Sequence, residues 1–403
     1  MAVSKDEIKK KMEETVEAEE AKFANNGDGG PVMPGPLSWQ VASVGRFISE
    51  KPPDPDYLFN KILIRNTVGG VFAPGGTGKS FILCQMACCL ATGRSFGIFE
   101  PNRANKILYI GCEDPETELW RRIYLIANSM GLLKSKELAD NLAVYSGVGS
   151  LGALLMMDGQ GNPTTSVHYE WLEESIDQLH DLDVLILDPM SRLYGLNEND
   201  NAHGTFWIHS LERLSQRFRI TILFAHHEAK SASQNKNLRD SMGRGASSIR
   251  DGCRWSLSMR EMTENDSKKY DVDNTRDYVE LDISKANYTA KLPNSVYFKR
   301  GEGGLLEPVN LNIDRIKELA EVLVYELSKV SDPISKRDLF KKLGKGKDIS
   351  LSLKESVGLN HSRDMGNVIN YALREGLIFE TEVDSDCSGA RKSTLRVAQL
   401  PSF

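Results

Sequence analysis

Residues 67–80 read TVGGVFAPGGTGKS, and the apolar run SFILCQMACCLATG continues from them over 80–93. A β-favouring apolar segment enters a glycine-dense turn. The turn opens at once into a stretch free of glycine and proline until Gly93. That order predicts strand, turn and helix. Gly75, Gly76 and Gly78 let backbone N–H groups curl round phosphate oxygens with no Cβ in the way. The helix that follows adds the positive end of its dipole. Lys79 is placed to reach β- and γ-phosphates, and the Ser80 hydroxyl to ligate Mg²⁺. The nucleotide-contacting set is Gly75, Gly76, Thr77, Gly78, Lys79, Ser80 and Phe81, and its cofactors are ATP and Mg²⁺. The usual first glycine of such a loop is Ala73 here, tolerated because that residue ends the strand.

Outward from this loop, roughly 37–310 alternates short apolar strands with helices, the pattern of an α/β domain with a mostly parallel central sheet. Strands are expected at 67–73, 106–112, 183–188 and 220–226, and helices at 80–93, 115–131 and 206–218. Asp188 ends the strand VLILD, where a carboxylate at a buried strand tip can hold Mg²⁺. Pro189 keeps it out of the helical region. Glu113 follows KILYIGC at another strand tip and can orient and deprotonate the attacking water. Asp114, before Pro115, reads as the N-cap of the next helix. In FAHHEAK (224–230), one of His226 and His227 reads as a sensor of the γ-phosphate; the alternative is a histidine satisfied in the core. Arg244, between glycines in SMGRGASS, suits an arginine finger reaching an adjacent subunit, whereas Arg254 reads as structural.

The 403 residues are 40% hydrophobic and 26% charged with a net charge of −6, which suits two or three globular domains and excludes a generally basic nucleic-acid binder. No apolar run approaches a membrane span, and no apolar segment follows the lysines of MAVSKDEIKKKMEE, so the expected compartment is the cytoplasm. Cys84 and Cys88, four apart, share a helix face; they read as small buried hydrophobes in preference to metal ligands.

Both ends differ in character. Residues 1–36 form a charged arm with a thin stripe of Ile8, Met12 and Val16, either frayed or docked on a partner, and a Gly/Pro linker. Residues 311–403 read as helices at 313–330, 334–344 and 362–376 followed by strands at 377–383 and 393–399, the layout of a winged helix-turn-helix module. Lys336, Arg337, Arg363 and Asn367 are its candidate contacts to duplex origin or fork DNA.

The ordered strings CEDP (112–115), ILDPMSRLYGLNEND (186–200), FAHHEAK, SMGRGASSIRDGCRW (241–255), ISKANY (283–288) and FKRGEGGLLEP (298–308) resemble the RepA-type hexameric replicative helicases of plasmids. These lie within the RecA/DnaB-like ring ATPases. The resemblance covers roughly 55–308. It implies a RecA-like fold with Lys79 and Ser80 on nucleotide, Glu113 as catalytic base and Asp188 as the Mg²⁺-linked carboxylate. It also implies His227 as sensor, Arg244 as trans finger and Lys285 as a second cation entering the neighbour's site. Single-stranded DNA would be gripped by channel loops at 190–204 and 228–243, the second bearing Lys230, Lys236 and Arg239. The function expected is an ATP-driven, hexameric helicase in phage, plasmid or mobile-element replication. The alternatives are a recombinase- or loader-like ATPase, or an ATP-state switch.

Overall fold

The computed structural model describes residues 44–228, 247–270, 272–288, 292, 295–328, 334–335, 362–384 and 391–397. The chain forms two compact units, Met1–Pro55 and Asp56–Phe403. In the first, the described element is a one-turn helix, Gly45–Ser49, with Phe47 and Ile48 exposed. The charged arm and Gly/Pro linker expected over 1–36 lie outside the described residues.

The second unit is built on a nine-stranded sheet. In chain order its strands are β1 (Val68–Ala73), β2 (Ile107–Gly111), β3 (Leu142–Ser146), β4 (Val184–Asp188), β5 (Thr221–His227), β6 (Trp255–Glu261), β7 (Tyr278–Ala286), β8 (Val296–Arg300) and β9 (Leu306–Val309). Their spatial order is 9-8-7-6-1-5-4-2-3. Neighbours from β6 to β3 run parallel, while β6 to β9 continue as an antiparallel meander. The expected α/β class with a mostly parallel sheet therefore holds.

The central strands are buried on both faces, as parallel strands between helical layers must be. Alternation along them sorts side chains into two cores. Val71, Tyr109, Ile186 and Leu223 pack with helices α1 (Lys79–Thr92) and α2 (Glu116–Ser129). Phe72, Ile110, Leu187 and Phe224 pack on the other face, against α3 (Val167–Gln178), α4 (Asn201–Phe218) and α5 (Ser247–Gly252). The glycine pair in VGGVFA has a packing cause: a Cβ on Gly69 would stand 2.2 Å from the Trp255 indole. Cys84, Cys88 and Cys89 are fully buried in the first core, and burial pushes the Cys84 and Cys89 thiols up to about 12.

Register sets the tips level. Gly111 pairs with Asp188, Leu187 with Phe224, and Ala73 with His227. The residues after β2, β4, β5 and β1 thus meet along one edge of the sheet, the carboxyl edge where open α/β sheets bind ligands.

Two expectations shift. Helix α4 starts five residues before the predicted 206, because Asp200 Oδ1 accepts from Ala202 N (2.8 Å) and His203 N (3.4 Å), so 201–204 is helix and not loop. Pro115, not Asp114, is the cap residue of α2, and it makes no side-chain cap bond. The Asp114 carboxylate instead meets Arg122 Nη1 at 2.6 Å, since Arg122 lies two turns along the same helix.

Near the C-terminus, α6 (Leu311–Ser328) and α7 (Ser362–Arg374) pack with the hairpin β10 (Ile378–Asp384) and β11 (Arg391–Val397). They share their own core of Leu319, Leu323, Val368, Ile369, Ala372, Ile378 and Leu395. Of the helix expected over 334–344 only Ile334 and Ser335 are described. Ile334 bridges to Leu395, so the chain is extended where the helix was expected to begin. Among the described residues no helix is long and apolar enough to cross a membrane.

Candidate active site at the sheet edge

Ala73 closes β1, and the chain turns through Pro74–Thr77 into α1. Gly76 (φ +77°) and Gly78 (φ +107°) adopt left-handed conformations that explain those glycines. Gly75 and Gly76 are exposed, while Thr77 is buried. Arg300 at the end of β8 holds the loop from outside, donating to Gly76 O (3.2 Å) and Thr77 O (3.0 Å). No acidic side chain occupies the first turn of α1, so its positive end faces the loop uncompensated.

Lys79 folds back into the loop. Its Nζ donates to Ala73 O (2.8 Å) and Pro74 O (2.9 Å) and meets His227 Nδ1 at 3.1 Å. An ammonium carries donors only, so Nδ1 accepts and the His227 proton resides on Nε2. That Nε2 lies 3.9 Å from Glu113 Oε1. Burial pulls Lys79 down to about 8, against the opposing pull of Asp188, Glu113 and Glu228. His227 is likewise pushed below 6.5, by burial and then by the Lys79 charge. His226, buried behind it, is pushed down to about 4 by burial, and its Nδ1 has no hydrogen-bond partner among the described residues.

Asp188 is buried at the tip of β4 and accepts from Tyr109 Oη at 2.5 Å. Burial raises its carboxyl, while hydrogen bonds from Tyr109 and Ser80 and the charges of Arg122 and Lys79 work the other way. A carboxylate and the Ser80 hydroxyl side by side form an all-oxygen donor set suited to a hard cation such as Mg²⁺. Cys112 N donates to Asp188 O (2.7 Å), fixing the β2 tip against β4. Glu113 is therefore one residue beyond a fixed point, partly exposed, with Arg192 Nε 3.5 Å from its Oε1.

Lys79, Ser80, Glu113, Asp188 and His227 are thus brought together. Phe81 turns into the protein, under the Arg122 guanidinium (5.4 Å) and beside Gly304. Lys285 is not near its own chain's loop. It sits at the level of Ser256, which pairs with Gly70, three residues or about 10 Å short of the β1 tip. Its Nζ donates to Asp251 O. Arg254 pairs with Glu212 at 3.1 Å, in keeping with a structural part. Arg244, Lys230, Lys236, Arg239, Lys336 and Arg337 lie outside the described residues, as does the side chain of Arg363. Asn367 is exposed on α7.

Tyr109, Arg122 and Arg300 were not foreseen as site residues, and Arg192 was foreseen only as part of the first channel loop. Tyr109 reads as an ordinary core residue of ILYIG, and the three arginines carry no spacing signal in sequence. Glu228 was foreseen only as the first residue of a channel loop. It follows β5 with its N–H on Ala73 O (3.0 Å), and its carboxylate pairs with Arg250, whose guanidinium lies over Phe72.

A family model described as an AAA domain matches residues 36–233. Among solved structures, the chain is similar to one described as an "ATPase Domain" at 10% identity with a TM-score of 0.44, over 69% of this chain and 100% of that one. The matched segment holds the glycine loop, Glu113, Asp188 and His227: this chain carries a P-loop ATPase domain.

Proposed function

We propose that this protein is an ATP-driven translocase on single-stranded DNA, a helicase working as a ring of identical subunits, six by the sequence resemblance. The observation that carries the ATPase half is the meeting of Lys79, Ser80, Glu113, Asp188 and His227 at four adjacent strand tips. The ordered motifs between 112 and 308 support the helicase half.

In this reading the N–H groups of Gly75–Ser80 and the Lys79 ammonium bind the phosphates, Lys79 leaving its loop carbonyls to do so. Ser80 and Asp188 hold Mg²⁺, which when bound neutralises developing phosphate charge. Glu113 takes the proton of the attacking water. His227 stands between Lys79 and Glu113 and registers whether a γ-phosphate is there. Arg244 completes the site of the adjacent subunit, and Lys285, remote from its own loop, serves a neighbour too. Lys230, Lys236 and Arg239 contact the strand. Residues 311–403, which include a core of their own, direct the ring to duplex origin or fork DNA through Lys336, Arg337, Arg363 and Asn367.

The test is ATP turnover with and without single-stranded DNA, beside fork unwinding on the same preparation. Stimulated turnover with unwinding is expected. Stimulated turnover without unwinding would make the protein a loader or recombinase, and turnover indifferent to DNA would leave an ATPase switch.

A further inference from the structure

The Arg192 side chain is outside the roles assigned above, yet it reaches the catalytic carboxylate. It ends the single 3-10 turn, Met190–Arg192, that follows Asp188-Pro189. That turn is anchored below by buried Met190 and beyond by buried Leu193 and Tyr194. The Arg192 side chain is 62% exposed, and its Nε lies 3.5 Å from Glu113 Oε1. Of the two carboxylate oxygens, the one Arg192 approaches is also the one facing His227 Nε2 at 3.9 Å.

We propose that Arg192 is a positioning residue that holds Glu113 away from its working pose until the 190–200 segment moves. The inference rests on Glu113 being the base. A guanidinium 3.5 Å from a carboxylate oxygen attracts it and favours the rotamers that keep the two charges close. To receive a proton from water at the phosphate, Glu113 must turn towards the Lys79–Ser80 loop and leave Arg192. The two partners differ in how firmly they are built in. Glu113 follows Cys112, pinned to Asp188 O, and Arg192 is carried by a short turn. A shift of the segment running from this turn to Asp200, the cap of α4, therefore changes the Arg192–Glu113 distance first. The segment lies in the first of the two expected channel loops, so the contact gives movement there a direct route to the chemistry.

Among the described residues, the charged and titratable groups around Glu113 are Arg192 after β4, His227 on β5, Lys79 at the head of α1, Asp188, and its neighbour Cys112. Arg192 is the one borne by a surface turn, and so the one whose removal leaves the nucleotide cradle intact.

The experiment measures ATP turnover without DNA for the full-length wild type, Arg192→Ala, Arg192→Lys, Glu113→Gln and the double variant Arg192→Ala/Glu113→Gln. Arg192→Ala is expected to raise kcat about two- to fivefold, the range of a partly exposed charge pair, at an unchanged KM. Arg192→Lys returns kcat towards wild type. Because exposed charges are screened by salt, the ratio of Arg192→Ala to wild-type turnover should shrink from low to physiological ionic strength. A structural role for Arg192 would lower kcat or stability and would not raise turnover. Unchanged or reduced kcat in Arg192→Ala overturns the proposal. The double variant separates the two layers: it is inactive if Glu113 is the base. Turnover surviving Glu113→Gln in both backgrounds would instead remove the base assignment itself.

Discussion

The buried Lys79 ammonium makes nucleotide affinity depend on pH in a calculable way. In the nucleotide-free protein Lys79 releases its proton at about 8, because burial outweighs the attraction of Asp188, Glu113 and Glu228. Phosphate oxygens around the amine favour the charged form and restore its affinity for the proton. Binding is therefore coupled to proton uptake that grows as pH rises through 8. Roughly a tenth of the free protein has a neutral Lys79 at pH 7 and roughly nine tenths at pH 9, so affinity falls about tenfold, or ~1.4 kcal/mol, between those values. His227, pushed below 6.5, and Cys112, pushed up to about 11, stay out of that window.

The assay is a fluorescent-nucleotide titration from pH 6.5 to 9.5, with calorimetry in buffers of different ionisation enthalpy. Uptake of about half a proton at pH 8 and about nine tenths at pH 9 is expected. Lys79→Arg, charged throughout, binds with an affinity flat over the same range. An affinity equal at pH 7 and 9 with no proton taken up would refute the reasoning. The linkage has a sign for folding too. The unfolded chain keeps this proton to 10.5 and the folded chain only to about 8. This group therefore makes the nucleotide-free protein relatively more stable as pH rises between them.

Tyr109→Phe removes a donor from the buried Asp188 and should cost about 1.5–3 kcal/mol in urea unfolding of the nucleotide-free protein. It should also weaken the Mg²⁺ dependence of turnover, and a fully wild-type Mg²⁺ titration would contradict that. Gly69→Ala forces a Cβ against the Trp255 indole, a clash worth about 1–3 kcal/mol, read as a lowered Tm. Leu323→Ala cuts into the separate C-terminal core and should destabilise that part by about 2–5 kcal/mol. Nucleotide binding is expected to survive, and its loss in a folded Leu323→Ala protein would show that the two cores are not independent.

What the sequence discloses divides along a physical line. The loop, Asp188 and Glu113 were legible because each follows a short apolar run, and an apolar run ending in glycine or carboxylate announces a strand tip. The meander β7–β9 and the hairpin Leu155–Met157/Pro163–Thr165 were not foreseen. Their strands are short or half-polar, and nothing in their own residues fixes their partners. Arg300 illustrates the limit: 224 residues separate it from Gly76, and only the antiparallel return of β8 through β7 and β6 to β1 brings its guanidinium onto the loop. Asp114 shows the same limit from the other side, since proximity to Pro115 suggested a cap and a residue two turns on claimed the carboxylate.

The sheet order also explains why the site has the members it has. Strands β1, β5, β4 and β2 are consecutive in space but first, fifth, fourth and second in sequence, so their tips pool residues from 73–80, 112–113, 188–192 and 226–228. Parallel strands enforce this: every one of them ends at the same edge, and each end is free to carry one polar group without exposing the core. Two of those ends are also bonded to their neighbours, Cys112 to Asp188 and Glu228 to Ala73, which makes the β1–β5 and β4–β2 pairs rigid units. Lys79 to His227 lies within the first unit, whereas His227 to Glu113 and Arg192 to Glu113 both converge on a side chain one residue past the second unit's pin. The loosest contacts of the site, at 3.5 and 3.9 Å, are therefore the ones that end on Glu113. A nucleotide drawing Lys79 away from Ala73 O and His227 Nδ1 disturbs a rigid unit at its tip, and the least restrained side chain next to it is Glu113, the proposed base. Glu113 is where binding energy can become a change of pose, and Arg192 sits where that change can be withheld.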